Sequence, residues 1–212
     1  MENLQKKIEK NYVKYVLTNG HAPYSVFLFM EEMGEEEKKF YEFYNSFTAI
    51  DKGIWSGISA EILEKVKSES AYPEYSVREK TLSYLFTMIE ALKGYRSYLV
   101  YLLKKEGKRR KGITPGFLKS YREKFMPFAN ELVNEGMDSQ EIVSRPLLSD
   151  RYVDLFWVQV LWIMRYWMKD DSTNFEQTDA AIEKSVNVLF DILGKTPLDT
   201  AFDFAKFVFQ KH

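Results

Sequence analysis

Apolar residues recur at intervals of three and four along nearly the whole chain, which is the period of a helix rather than of a strand. Leu4, Ile8, Tyr12, Tyr15 and Val16 form the first stripe, and Asn19-Gly20 stops it. Ser25 caps a helix to Met33, ended by Gly34, and a short helix follows through Tyr44. Ser46 caps a longer helix carrying Ile50, Ile54, Trp55, Ile58, Ile62 and Val66. Beyond Pro73 the stripes predict helices over 76–93, 95–103, from Thr114-Pro115 to about Glu135, over 149–167 and over 175–193. A turn at Gly194 and Pro197 precedes a last amphipathic helix from Leu198 to Phe209. No segment shows strand alternation. The pattern therefore predicts an all-α protein of roughly nine or ten helices, without repeats.

The composition narrows this picture. With 212 residues, 45% hydrophobic and 29% charged, the chain has enough apolar material for a sizeable core and is not of the disordered class. A net charge of -1 gives no global attraction to nucleic acid or anionic lipid, so such binding needs a local patch. With no cysteine there is no disulfide, thiolate metal site or cysteine nucleophile, and a cytoplasmic location is expected. The first residues lack the apolar run of a signal peptide. The most apolar stretch, Val153 to Met168, contains Asp154, Gln159 and Arg165 and falls short of the roughly 20 residues of a membrane span.

The order Asn19-Gly20, Ser25-Val26, Met33-Gly34, Phe40-Tyr41, Tyr44, Ser46 and Ala49-Ile50 resembles the amino-terminal domain of TetR-family transcriptional regulators. The resemblance implies a three-helix helix-turn-helix DNA-binding domain over residues 1–50. A larger helical ligand-binding and dimerisation domain over 51–212 would follow it. It also implies a homodimer that sets two recognition helices on successive major-groove faces of operator DNA. Ser25 and Tyr41 would touch phosphate, and base reading would lie among Glu35, Glu36, Glu37, Lys38 and Lys39, with the two lysines as the DNA-binding cations. Two departures stand out. Phe47 occupies the position after the serine cap where the family carries lysine. The first 55 residues hold seven lysines, no arginine and nine carboxylates. DNA affinity grows by phosphate neutralisation, and arginine is the commonest reader of guanine. Glutamates at a helix start also have a purely local role, since they match the helix dipole.

The second half is rich in aromatic residues. Tyr and Trp need polar partners when buried, so such a concentration either packs a core or lines a cavity. The TetR resemblance implies a cavity for an apolar or aromatic small-molecule ligand. Tyr95, Tyr98, Phe125, Trp157 and Leu161 are its candidate lining, and Arg165 and Gln159 its candidate polar groups. Asp170-Asp171-Ser172, followed by Phe175-Glu176 and Thr178, is similar over about twenty residues to lipid-binding ubiquinone-biosynthesis proteins that share the TetR fold without binding DNA. That likeness implies an alternative function, carriage of a lipid or other apolar small molecule. Its local reading is that the aspartates stop one helix and Ser172 or Thr173 caps the next. Two amphipathic helices near the end, with Val186, Phe190, Phe202 and Phe209 on their apolar faces, can pair with a second copy in a four-helix bundle or pack within the chain. Lys104 to Gly112, KKEGKRRKG, reads as a solvated basic loop.

Nothing points to catalysis. His21 and His212 lack metal-ligand spacing, and neither a glycine-rich phosphate loop nor a G-x-S-x-G elbow occurs. Glu31-Glu32 and Asp170-Asp171 are neighbours, which a helix splays by about 100°. No cofactor, no metal and no enzymatic activity are expected.

Overall fold

The structure is a computed structural model that describes residues 3–107, 112–145, 148–196 and 199. Among them it is all-helical. The α-helices are α1 (Leu4–Asn19), α2 (Val26–Glu32), α3 (Glu37–Phe40), α4 (Phe47–Lys67), α5 (Val77–Leu92), α6 (Arg96–Glu106), α7 (Lys119–Asp138), α8 (Tyr152–Trp167) and α9 (Glu176–Leu193). Short 3-10 turns precede α7, α8 and α9. Of the helix expected over 198–209 only Asp199 is described; Phe202 and Phe209 lie outside the described residues.

Two compact units form, and their boundary is not the one at residue 50. Residues 1–61 and 91–124 make the first, and 62–90 and 125–212 the second.

In the first unit α1 buries Ile8, Tyr12 and Val16 at intervals of four. Ser25 accepts a hydrogen bond from the Leu28 amide at 3.2 Å, so α2 starts where the serine cap predicts. Gly34, at φ 70°, takes the left-handed turn into α3 that a side chain would resist. Ser46 caps α4 through the Ala49 amide. Phe47, half-buried, packs against the core: it stacks on Tyr12 at 5.5 Å and meets Phe29 and Phe40 edge-on at 5.7 Å each. Tyr44 crosses Gly53 so closely that a β-carbon there would stand 2.8 Å from its ring. The Tyr44 hydroxyl donates to the buried Glu9 and accepts from Gln5, tying the end of the recognition segment to α1.

Asp51, in the second turn of α4, is buried. Its carboxylate accepts from the Tyr98 hydroxyl at 2.6 Å and from Lys105 at 3.1 Å, both on α6. The buried Tyr12 hydroxyl lies beside the same charge without a hydrogen bond of ordinary geometry. Burial first, and then the Asp51 charge, raise the Tyr12 and Tyr98 hydroxyls far above the usual phenol value. This network explains why α6 belongs with the helix-turn-helix.

In the second unit, Ser76 and Glu79 form a reciprocal capping box, and Glu141 accepts from the Val77 and Arg78 amides. Tyr84 of α5 packs on Phe125 and Phe128 of α7 at 4.9 and 5.2 Å, and Phe125 meets Trp157 of α8 at 5.9 Å. Phe156 meets Phe190 edge-on, and Gln159 donates to Ser185, joining α8 to α9. The Arg145 guanidinium binds both Asp199 oxygens at 2.8 and 2.7 Å and the Ile192 and Gly194 carbonyls, so it closes the end of α9.

The α8–α9 corner turns on Asp170. One carboxylate oxygen accepts from the Ser172 amide and hydroxyl, the other from the Thr178 amide and hydroxyl, while Ser172 accepts from the Gln177 amide. Asn174 and Phe175 take left-handed φ values of 52° and 65° there. Desolvation pushes the Asp170 carboxyl up, but these hydrogen bonds outweigh it and hold its pKa at about 2. A carboxylate depressed in the folded state stabilises fully above its ordinary value, and that contribution is lost as pH falls through about 2. The stability difference between the wild type and Asp170→Asn should therefore be constant above about pH 4 and shrink toward pH 2. Denaturant titrations across that range check this, and a pH-independent difference would refute the assignment.

Candidate functional site

The outer surface of α2 and α3 is where the sequence places DNA contacts. Its four expected residues fall in one short region. Ser25 is half-buried and spends its hydroxyl as the α2 cap. Lys38 is 75% exposed but lies 2.6 Å from Glu36. Lys39 binds Glu35 at 2.8 Å, and Glu35 also holds Lys7 of α1 at 3.0 Å. Tyr41, exposed, donates to Glu37 at 3.1 Å.

The electrostatics follow from these pairs. Hydrogen bonds from Lys39 and then Lys7 lower the Glu35 pKa, the bond from Lys38 lowers that of Glu36, and the Glu35 partner raises that of Lys39. Both lysines of the recognition segment thus arrive with their charge matched by glutamate. The pairs lie at the surface, where solvent screens them, so they can exchange partners. They still leave no surplus of positive charge. The helix α2, VFLFMEE, contributes no cation at all. Tyr24, Phe27 and Leu28 point outward from its start.

The six residues expected around a ligand divide between the two units. Tyr98 is wholly buried and committed to Asp51. Tyr95, half-buried, borders an open hollow of about 450 Å³ with Lys6, Glu9, Val13 and Ile54. In the second unit Phe125 borders a cavity between α5, α7 and α8, with Thr81, Tyr84, Phe128 and Gln159. Its volume is about 10 Å³, room for a single water. Trp157 packs on Phe125, Leu161 is half-buried and Arg165 is exposed. Another open hollow, about 630 Å³, lies between the end of α1 and α6 beside Leu17, His21, Val100, Tyr101 and Lys104.

The expectation that Val186 and Phe190 face a second copy does not hold. Both are buried in their own unit, where Phe190 packs on Phe156. A buried side chain offers no surface to a partner. The outward apolar residues of the same pair of helices are Leu155, Val158 and Trp162 on α8, and Val188 and Ile192 on α9. Sequence reasoning missed them, although their spacings of three and four mark a second apolar stripe on each helix.

The basic run at 104–112 is partly structural. Lys104 to Glu106 finish α6, and Lys105 serves Asp51. Residues 108–111 lie outside the described part. Among the described residues no group of three or more His, Asp or Glu side chains is placed to hold a metal ion, and no helix is long and apolar enough to cross a membrane.

Comparison with known proteins gives a consistent frame. Residues 80–208 match the family model of the tetracyclin repressor-like C-terminal domain. No match to a curated protein was found. Among solved structures the chain is similar to a Rhodococcus sp. RHA1 protein of unknown function, at 12% identity and a TM-score of 0.60, covering 92% of this chain and 97% of that one. It is also similar to a Shewanella sp. PV-4 protein whose name places it among tetR family transcription regulators. That match has 14% identity and a TM-score of 0.59, and covers 89% and 96% of the two chains. At these identities the likeness is one of fold.

Proposed function

The chain belongs to the tetracyclin repressor-like (TetR) family, and from that premise we propose that it is a homodimeric, ligand-responsive regulator. Its second unit pairs two copies, and its helix-turn-helix modules carry the output. The outward stripe of α8 and α9 is the observation that supports the dimer. Five large apolar side chains on two adjacent helices are the face a four-helix pairing covers. The input is an apolar or aromatic small molecule. Phe125 and Trp157 are proposed to line its site, and entry requires the Phe125 ring to move, because the cavity it borders holds about one water.

The family's output partner is operator DNA, and the residues proposed to meet it are Ser25, Lys38, Lys39 and Tyr41. A second reading is a family member without DNA recognition that carries a lipid or other apolar molecule. The surface of α2 and α3 favours this second reading. Its lysines are matched by glutamates, α2 supplies no cation, and Phe47, in place of a phosphate-binding lysine, is spent on the core.

Two measurements test these statements. Trp162→Glu combined with Ile192→Glu should convert the dimer to a monomer in sedimentation analysis while leaving the helical circular dichroism unchanged. Survival of the dimer would place its interface elsewhere. Titration of the full chain with duplex from its own upstream region, at rising salt, tests the output. A specific complex that weakens steeply with salt and is lost in Lys38→Ala/Lys39→Ala supports operator reading. Absence of any complex at low salt supports the second reading.

A further inference from the structure

The helix-turn-helix core is built from Ile8, Tyr12, Val16, Phe29, Met30 and Phe40, with Phe47 packed against it. Yet Tyr24, just before the α2 cap, and Phe27 and Leu28, in the first turn of α2, are 85%, 54% and 47% exposed. Around the end of α3, Tyr41 and Phe43 are exposed as well. Clustered outward aromatic and aliphatic residues are characteristic of interaction surfaces. The charges around them are mixed, with carboxylates in excess of lysines. Glu31 and Glu32 follow Phe27 and Leu28 by four residues, which on a helix puts them on the same face one turn further on, and both are exposed. Glu36 and Glu42 are exposed on the recognition segment, and the lysines there are paired with glutamates.

We infer that this face docks a protein partner through an amphipathic helix whose apolar stripe is flanked by lysine and arginine. The inference rests on the second reading above, in which the module does not bind DNA. Apolar contact supplies the affinity and the glutamate rim selects the flanking cations. The same rim repels a phosphate backbone and an anionic lipid surface. A partner with an acidic flank meets like charge, so the rim fixes the chemistry of the occupant as well as its position.

The test uses the full chain and two dye-labelled synthetic peptides. Both carry the same leucine stripe at helical spacing; one is flanked by lysines and the other by glutamates. Fluorescence anisotropy reads binding, and a photoreactive side chain in the stripe reports the contact by mass spectrometry. The basic peptide should bind and cross-link within residues 24–43, with the acidic peptide at least about tenfold weaker. Phe27→Ser with Leu28→Ser, both at exposed positions, should weaken the basic peptide by a similar factor without loss of helical signal. Equal binding of the two peptides, cross-links confined to α8 and α9, or affinity unaffected by the double substitution would each overturn the docking surface. A duplex arm separates the two levels. Specific DNA binding overturns the second reading itself, whereas no DNA binding and no peptide binding overturns the docking surface alone.

Discussion

A carboxylate removed from water destabilises a protein unless charge or hydrogen bonds replace the solvent, and Asp51 meets that requirement with groups from far along the chain. Tyr98 and Lys105 of α6 reach it from 47 and 54 residues away, and Tyr12 of α1 lies beside it. The start of α4 is therefore registered against α1 and α6 at once. The recognition segment hangs on the same frame through Tyr44, which Glu9 and Gln5 of α1 hold and Gly53 of α4 accommodates. With that frame fixed from behind, the outer surface of α2 and α3 is free to change its chemistry without changing its shape.

That separation accounts for the character of the module. Its helices, caps and turn are those of a DNA-binding helix-turn-helix. The side chains that decide what it can touch are of a different kind: an apolar first turn on α2, glutamates one turn on, and lysines already matched by acid. In the second unit the aromatic residues that the resemblance assigns to a ligand fill most of the space between α5, α7 and α8 themselves. The Asp170 corner is a capping network that orders the entry of α9, and its chemistry is that of a helix stop and start.

What was legible in the sequence was what depends on near neighbours. Ser25 and Ser46 cap where their spacing to the next helix says they should, α1 ends at Asn19-Gly20, and the buried stripes of α1 and α4 follow the helical period. What depends on distant partners was not legible. The period could not reveal that Asp51 is buried or that α6 joins the amino-terminal unit. On α9 it could not decide which of two apolar stripes faces inward, so Val186 and Phe190 were indistinguishable from Val188 and Ile192. Phe47 read as a missing phosphate contact, because a family pattern registers the lost lysine and not the ring stacked on Tyr12.

The central claim is that this module keeps the shape of a DNA reader and lacks the charge. Duplex binding at low salt by a surface-grafted variant tests it most directly. Phe27→Arg, Leu28→Lys, Glu31→Gln and Glu36→Gln, all at exposed positions, should give the folded full chain a salt-sensitive affinity for duplex DNA well above the parent's. A folded variant that still ignores duplex, or a parent that binds as tightly as the variant, would contradict the account.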